Sequence, residues 1–176
     1  GNYTEKDIRE DARAFTGWTA DDKTLKFVVS QEKHDELPKT FLGKTGNFDG
    51  VQIVDIIMEQ PVTANFVAGK IYRYFVREDL DPKLQAKLGD VLRKNKYEIA
   101  PFLETVFLSK DFYSPSSVGA HIESPVQLAI STYKKLGLKA VPGVPDFNAA
   151  TGALGQRLFA PPTVAGWAEG RSWITP

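Results

Sequence analysis

Apolar side chains recur at helical spacing along most of the chain, and the breaks between these runs carry capping residues. Thr4, with Asp7 three positions on, has the form of a capping box, with Asp in place of the usual Glu. Ile8, Ala12 and Phe15 follow at helical spacing, and Gly17 ends the run. Leu25 to Gln31 is the best strand segment, followed by a polar turn at His34-Asp35-Glu36. Lys39-Thr40-Phe41-Leu42 reads as its hairpin partner, kept short by Pro38 and Gly43.

From Asp49 the pattern becomes helices separated by caps. Asp49 starts a helix carrying Val51, Ile53, Val54, Ile56, Ile57 and Met58, and Pro61 restarts the chain at a favourable first-turn position. Phe66, Ile71, Tyr74 and Phe75 continue that apolar stripe. Asp81-Pro82 opens a further helix through Leu92, Ile99 to Phe112 forms another, and Ser124-Pro125 opens one that Gly137 closes. Val141 to Pro145 reads as an extended linker, Ala149 to Phe159 as a last helix, and the chain from Pro161 as turn-rich. No fixed repeat period runs through these helices, which argues against a solenoid. The pattern predicts a mainly α fold: an irregular multi-helix bundle of about six to seven helices, with one small β-hairpin near the N-terminal third. It is read as a single helical domain over residues 1–176.

Length and composition are those of an ordinary globular chain: 176 residues, 42% hydrophobic and 25% charged. Lys+Arg and Asp+Glu both number 22, so the formal net charge is zero. The basic excess of a nucleic-acid binder or a polybasic membrane anchor is missing. No apolar run reaches the length of a membrane span. The chain has no cysteine, which removes disulfides, thiol nucleophiles and thiolate metal sites from consideration. Gly1 reads as a tag remnant and a helix pattern follows almost at once, so the lack of a signal peptide carries no information about export.

His34-Asp35, flanked by Glu32 and Glu36, combines metal-ligand and general-base residue types. A metal site needs at least three convergent ligands, and the other histidine, His121, stands far along the chain. We read the pair first as a turn-stabilising feature, and assign no catalytic residue, metal or cofactor. Trp18 in Thr16-Gly17-Trp18-Thr19, and Trp167 through Trp173, place three tryptophans in two Gly-rich corners. The rings serve as plugs for a small helical core, or, with Glu169 and Arg171 near, as a platform for a sugar or peptide. Glu78, Asp79 and Asp81 do not follow the calcium-loop template, and capping of the helix at Pro82 accounts for them. Gly43-x-x-Gly46 is not followed by the Gly-Lys-Ser/Thr of a phosphate loop, and no Gly-x-Ser-x-Gly elbow occurs.

Two stretches carry more than composition. One is Asp11-Ala12-Arg13-Ala14-Phe15-Thr16-Gly17-Trp18 with His34-Asp35 and Lys39 to Gly43; the other runs from Leu154-Gly155-Gln156-Arg157-Leu158-Phe159 through Pro161-Pro162 and Gly166-Trp167 to Trp173-Ile174. Together they closely resemble the bacterial family known as domain of unknown function 1800, and the stretch from Pro61 to Val76 is similar to its middle helix pair. The resemblance implies the C-terminal portion of a longer, exported bacterial protein, periplasmic or extracellular. It implies a partner among other exported bacterial proteins and establishes no activity. The family commonly has Gly two positions after its His-Asp pair, where Leu37 stands here.

Two functional expectations follow. The first is a non-catalytic interaction or assembly domain of an exported bacterial protein, with neither nucleic acid nor a membrane span involved. The second is a ligand-binding, metal-binding or hydrolytic domain using His34, Asp35 and Lys39, with Trp18, Gln156, Trp167, Arg171 and Trp173 as further binding residues.

Overall fold

The computed structural model describes residues 2–139 and 147–174, so the linker expected at Val141 to Pro145 lies outside the described residues. The element order is α1 (Glu5–Ala14), β1 (Trp18–Ala20), β2 (Phe27–Val29), β3 (Lys39–Phe41), β4 (Lys44–Gly46), α2 (Gly50–Glu59), α3 (Pro61–Phe75), α4 (Pro82–Lys94), α5 (Ile99–Phe107), α6 (Pro125–Lys135) and α7 (Phe147–Ala153). Short 3-10 turns lie at Gln31–Lys33 and Gly170–Ile174. The fold is mainly α, as the pattern predicts. Among the described residues no helix is long and apolar enough to cross a membrane.

The strand pairing differs from the expectation. Two antiparallel hairpins form: β1 pairs with β2 and β3 pairs with β4. The segment 25–31 therefore does not pair with 39–42. Asp21 reverses the chain between β1 and β2, its Oδ1 accepting the N–H of Lys23 at 3.1 Å and of Thr24 at 2.7 Å. Leu42 and Gly43, both at positive φ, form the two-residue turn between β3 and β4.

Two helix ends also move. The helix expected to run to Phe112 stops at Phe107. There the Ser109 hydroxyl donates to the Val106 carbonyl at 2.7 Å and accepts the Phe112 N–H at 3.2 Å, offering the backbone partners outside the helix. The last helix covers Phe147–Ala153 instead of 149–159. Gly155, at φ +95°, lets the Gln156 N–H reach the Thr151 carbonyl while its own N–H reaches Gly152, the bond pair that ends a helix in a left-handed cap.

The chain divides into two units. One takes the residues up to Ala68 with Gln85–Tyr97, the other Gly69–Leu84 with the residues from Glu98 onward. In the first, α1 covers the exposed edge of β3. The N–H groups of Thr40 and Leu42 lie on one edge, two residues or roughly 6.6 Å apart. They donate to Glu10 Oε2 at 3.0 Å and Asp7 Oδ1 at 2.9 Å, acids three positions apart on the helix. An edge strand that would otherwise present open donors is thereby satisfied. Ala14, Phe41, Ile53 and Ile56 form the core beneath, with Phe15, Leu42 and Phe48 packed against it. Ala64 and Ala68 on α3 and Leu88 and Leu92 on α4 are buried, and Gly89 of α4 lies against Asn65 of α3.

In the second unit Tyr72, Val76, Phe102 and Val106 are buried. A chain of rings, Tyr74–Phe75–Phe107–Phe112–Tyr113, runs with successive centroids 4.8 to 5.3 Å apart, in the edge-on and tilted geometries aromatic pairs prefer. Ser124 and Gln127 complete a capping box on α6, with Pro125 in the first turn.

Candidate functional site

The His34–Asp35 turn belongs to the first unit, and its polar atoms are engaged by the fold around it. Arg13, in the last turn of α1, donates from Nε to Asp35 Oδ2 at 2.7 Å and from Nη2 to Oδ1 at 3.2 Å. Its Nη1 donates to Glu10 Oε2 at 2.9 Å and to the Pro38 carbonyl at 3.3 Å. These bonds to Arg13, together with the N–H of Leu37, hold the Asp35 carboxyl well below the usual carboxylate range, at about 2. The same pairing raises Arg13 above its ordinary value. His34 Nδ1 stands 2.8 Å from the Thr16 carbonyl, which can only accept, so the proton sits on Nδ1. The Asp35 N–H donates to the Thr16 hydroxyl at 2.8 Å.

Lys39 is fully buried at the start of β3. Its ammonium donates to three acceptors: the carbonyls of Asp35 and Leu37, the latter at 3.1 Å, and Asn47 Oδ1 at 3.2 Å. Three donors meet three acceptors, which is what a buried ammonium needs. Asn47 in turn donates to Glu36 at 2.9 Å. The structure thus brings His34, Asp35 and Lys39 together in one network. Trp18 lies in the same unit, edge-on to Phe15 at 4.8 Å and to Phe27 at 5.1 Å.

A different arrangement occurs in the second unit. An open cleft of about 890 Å³ brings Gln156, Trp167 and Trp173 together with one face of the third helix and the segment before α6. Lys70, Arg73, Tyr74 and Arg77 recur at i, i+3, i+4 and i+7 on that face, which continues past the end of α3. Trp167 and Trp173 are half-buried, whereas Tyr74 is 55% exposed and stands edge-on to His121 with centroids 5.8 Å apart. Gln156 orients the wall: its Oε1 accepts the Val126 N–H at 2.9 Å, satisfying a free donor in the first turn of α6.

Opposite charges meet around the cleft. Lys70 pairs with Glu169 at 3.0 Å, and Arg171 stands at the rim, 3.7 Å from Glu78 and 3.6 Å from Asp79. Arg77 pairs with Asp111 at 2.6 Å and donates to the Ser117 hydroxyl at 2.7 Å. Burial pushes the Asp111 carboxyl up, but the bonds from Arg77 and Tyr72 more than offset it and leave it below its ordinary value. Asp81 caps α4 as expected, its Oδ1 accepting the N–H of Lys83 and Leu84 at 2.9 and 3.0 Å. Among the described residues no group of three or more His, Asp or Glu side chains converges in a metal-binding arrangement.

Sequence reasoning identified the tryptophans and Gln156 but not Lys70, Arg73, Tyr74 or His121. The helical spacing of the first three was the available signal; nothing in sequence places His121 beside Tyr74.

Comparison with known proteins returns one relationship. The family model described as protein of unknown function (DUF1800) matches residues 1–176. No curated protein and no solved structure matches the chain.

Proposed function

The chain belongs to the DUF1800 family over its whole length, and from that premise we propose that it is a non-catalytic interaction domain of an exported bacterial protein, engaging its partner through the aromatic cleft of the second unit. The observation that carries the reading is the cleft itself, where half-buried Trp167 and Trp173 and the largely exposed Tyr74 line about 890 Å³ beside paired charges. Tryptophan, tyrosine and arginine are the residues that most often anchor protein interfaces, because each gives a large contact area with a polar edge. Support also comes from the His34–Asp35 turn, whose His Nδ1, carboxylate and neighbouring ammonium are spent on bonds within the first unit. That use favours binding over catalysis. Under this reading the protein works in the periplasm or outside the cell, the setting that the family resemblance implies, and the partner is another exported protein.

The test is a pull-down from the envelope fraction of the native organism, with the wild-type chain and a Trp167→Ala, Trp173→Ala double variant as baits. Truncating an anchor residue of an interface typically costs about 2 kcal/mol or more, a loss of roughly 30-fold in affinity. A partner retained by wild type and lost by a folded double variant supports the reading. Failure to retain any specific partner, or equal retention by both baits, overturns it.

A further inference from the structure

The first unit carries a second cavity that the reading above does not use. It is a groove of about 420 Å³ between α1, the β3–β4 turn and the α2–α3 corner, walled by Ile8, Leu42, Ile57, Val62 and Phe66. Ile8, Val62 and Phe66 are 53%, 42% and 60% exposed, so the walls are open to occupation. In this apolar setting stands Asp11, one turn beyond Ile8 on the same face of α1.

The other acids of α1 are all partnered. Glu5 pairs with Arg9, Asp7 accepts from Thr4 and from the Leu42 N–H, and Glu10 accepts from Arg13 and the Thr40 N–H. Asp11 alone among them has no hydrogen bond or ion pair to its carboxylate from any described residue. Burial holds its carboxyl above its ordinary value, with nothing opposing the shift. An isolated carboxylate against apolar side chains loses hydration and gains nothing in exchange. The polar neighbours in the groove do not supply it: the Thr63 hydroxyl donates to the Ile57 carbonyl, and Gln60 Nε2 to the Ile56 carbonyl.

We propose that this groove binds a small amphiphilic cation, its apolar body between Ile8, Leu42, Ile57 and Phe66 and its ammonium group against Asp11. The volume lies within the range of small-molecule sites and holds one short chain or ring system, too little for a folded partner. The walls supply affinity in proportion to apolar surface covered. The unpaired carboxylate supplies selection for positive charge, because a cation beside it gains a Coulomb attraction that a neutral molecule does not.

The experiment is calorimetric titration of the whole chain with hexyl-, octyl- and decyl-trimethylammonium below their micelle concentrations, and with 1-octanol as the uncharged probe, on wild type and on Asp11→Asn. The proposal expects affinity to rise about fourfold per added methylene. It expects octyl-trimethylammonium to bind wild type at least tenfold more tightly than octanol. Asp11→Asn removes that preference and leaves octanol binding unchanged. A thermal melt keeps the test interpretable: replacing an unpaired, partly desolvated carboxylate leaves Tm equal or higher. Equal binding of ammonium and alcohol to wild type overturns the proposal, as does undiminished ammonium binding by Asp11→Asn or the absence of binding across the whole series.

Discussion

Arg13 and Asp35, 22 residues apart in sequence, face each other fork to fork, with Nε and Nη2 of the guanidinium 2.7 and 3.2 Å from the two carboxylate oxygens. The pair ties the end of α1 to the His34–Asp35 turn. Asp35 titrates near 2 in the folded protein, held down first by Arg13 and then by the Leu37 N–H, against about 3.9 when unfolded. A depressed folded value stabilises above the unfolded pKa and is lost as pH falls through the folded one. Asp35→Asn is therefore less stable than wild type at pH 7, and the difference shrinks between about pH 4 and pH 2. Denaturant midpoints of both proteins across that range check it; a difference that stays constant into acid would show that the charge is not what matters.

Lys39 gives a sharper case, because its side chain is fully buried. Lys39→Met has nearly the same shape but strands the Asp35 and Leu37 carbonyls and Asn47 Oδ1 without a donor. Leaving an acceptor without its donor costs up to about 1–3 kcal/mol, and less where water reaches it. Summed over the three acceptors, and reduced by solvent access at Leu37 and Asn47 and by the apolar contact of the thioether chain, the expected net loss is about 3 kcal/mol. Urea unfolding measures it. A neutral or stabilising result would mean that water replaces the ammonium.

These two networks mark the boundary of what the sequence disclosed. Helix starts were legible because caps are local: Asp49, Ser124 and Asp81 each cap the helix expected to begin there, and Gln52 and Gln127 close the first two as capping boxes. Strand pairing was not, since three-residue strands such as Trp18–Ala20 carry almost no periodicity and the turn at Leu42 demands a left-handed backbone that leucine does not advertise. A lysine in the core is equally invisible, because its burial depends on three acceptors that only the folded turn assembles. At the cleft, Gln156, Trp167 and Trp173 stood out as residue types. Their convergence with Tyr74 and His121 depends on contacts between segments some 30 to 100 positions apart, and no local rule supplies those.

Gly89 sits where α4 crosses α3 within the first unit. A Cβ built there would lie 1.9 Å from Asn65 Oδ1 and 2.9 Å from the Asn65 Cα. Alanine would gain about 1 kcal/mol of helix propensity over glycine. The amide oxygen can swing aside, but the Cα belongs to the backbone of α3 and moves only with the helix. Overpacking of this kind costs about 1–3 kcal/mol, and Gln85 also donates to the Asn65 carbonyl across the same crossing at 2.9 Å. Gly89→Ala is expected to lose about 1–2 kcal/mol net, and the double variant with Asn65→Gly to recover part of it. Thermal melts of wild type and the two variants decide the matter: a more stable Gly89→Ala would show that the two helices separate freely.

The last prediction concerns Tyr72, buried in the second unit with its hydroxyl 2.5 Å from Asp111 Oδ2. Burial, reinforced by the hydrogen bond to Asp111, raises the phenol well above its ordinary value of about 10. A raised folded value means that the folded state holds its proton longer than the unfolded chain does. The resulting stability is complete below about pH 10 and is lost as pH rises beyond it, because the unfolded phenol ionises first. At neutral pH, Tyr72→Phe removes one hydrogen bond to a charged acceptor and is expected to cost about 2 kcal/mol. Arg77 keeps Asp111 paired in the variant, so the carboxylate is not stranded and the loss stays near that figure. Above about pH 10 wild type should fall toward the variant, and the difference between them narrow with each further step. Parallel guanidinium unfolding of the two proteins from pH 7 to pH 11 measures this directly. Other ionising tyrosines and lysines act on both proteins and cancel in the comparison. A constant difference would place the Tyr72 hydroxyl in a site that water reaches, and its bond to Asp111 would then carry little of the stability of this unit.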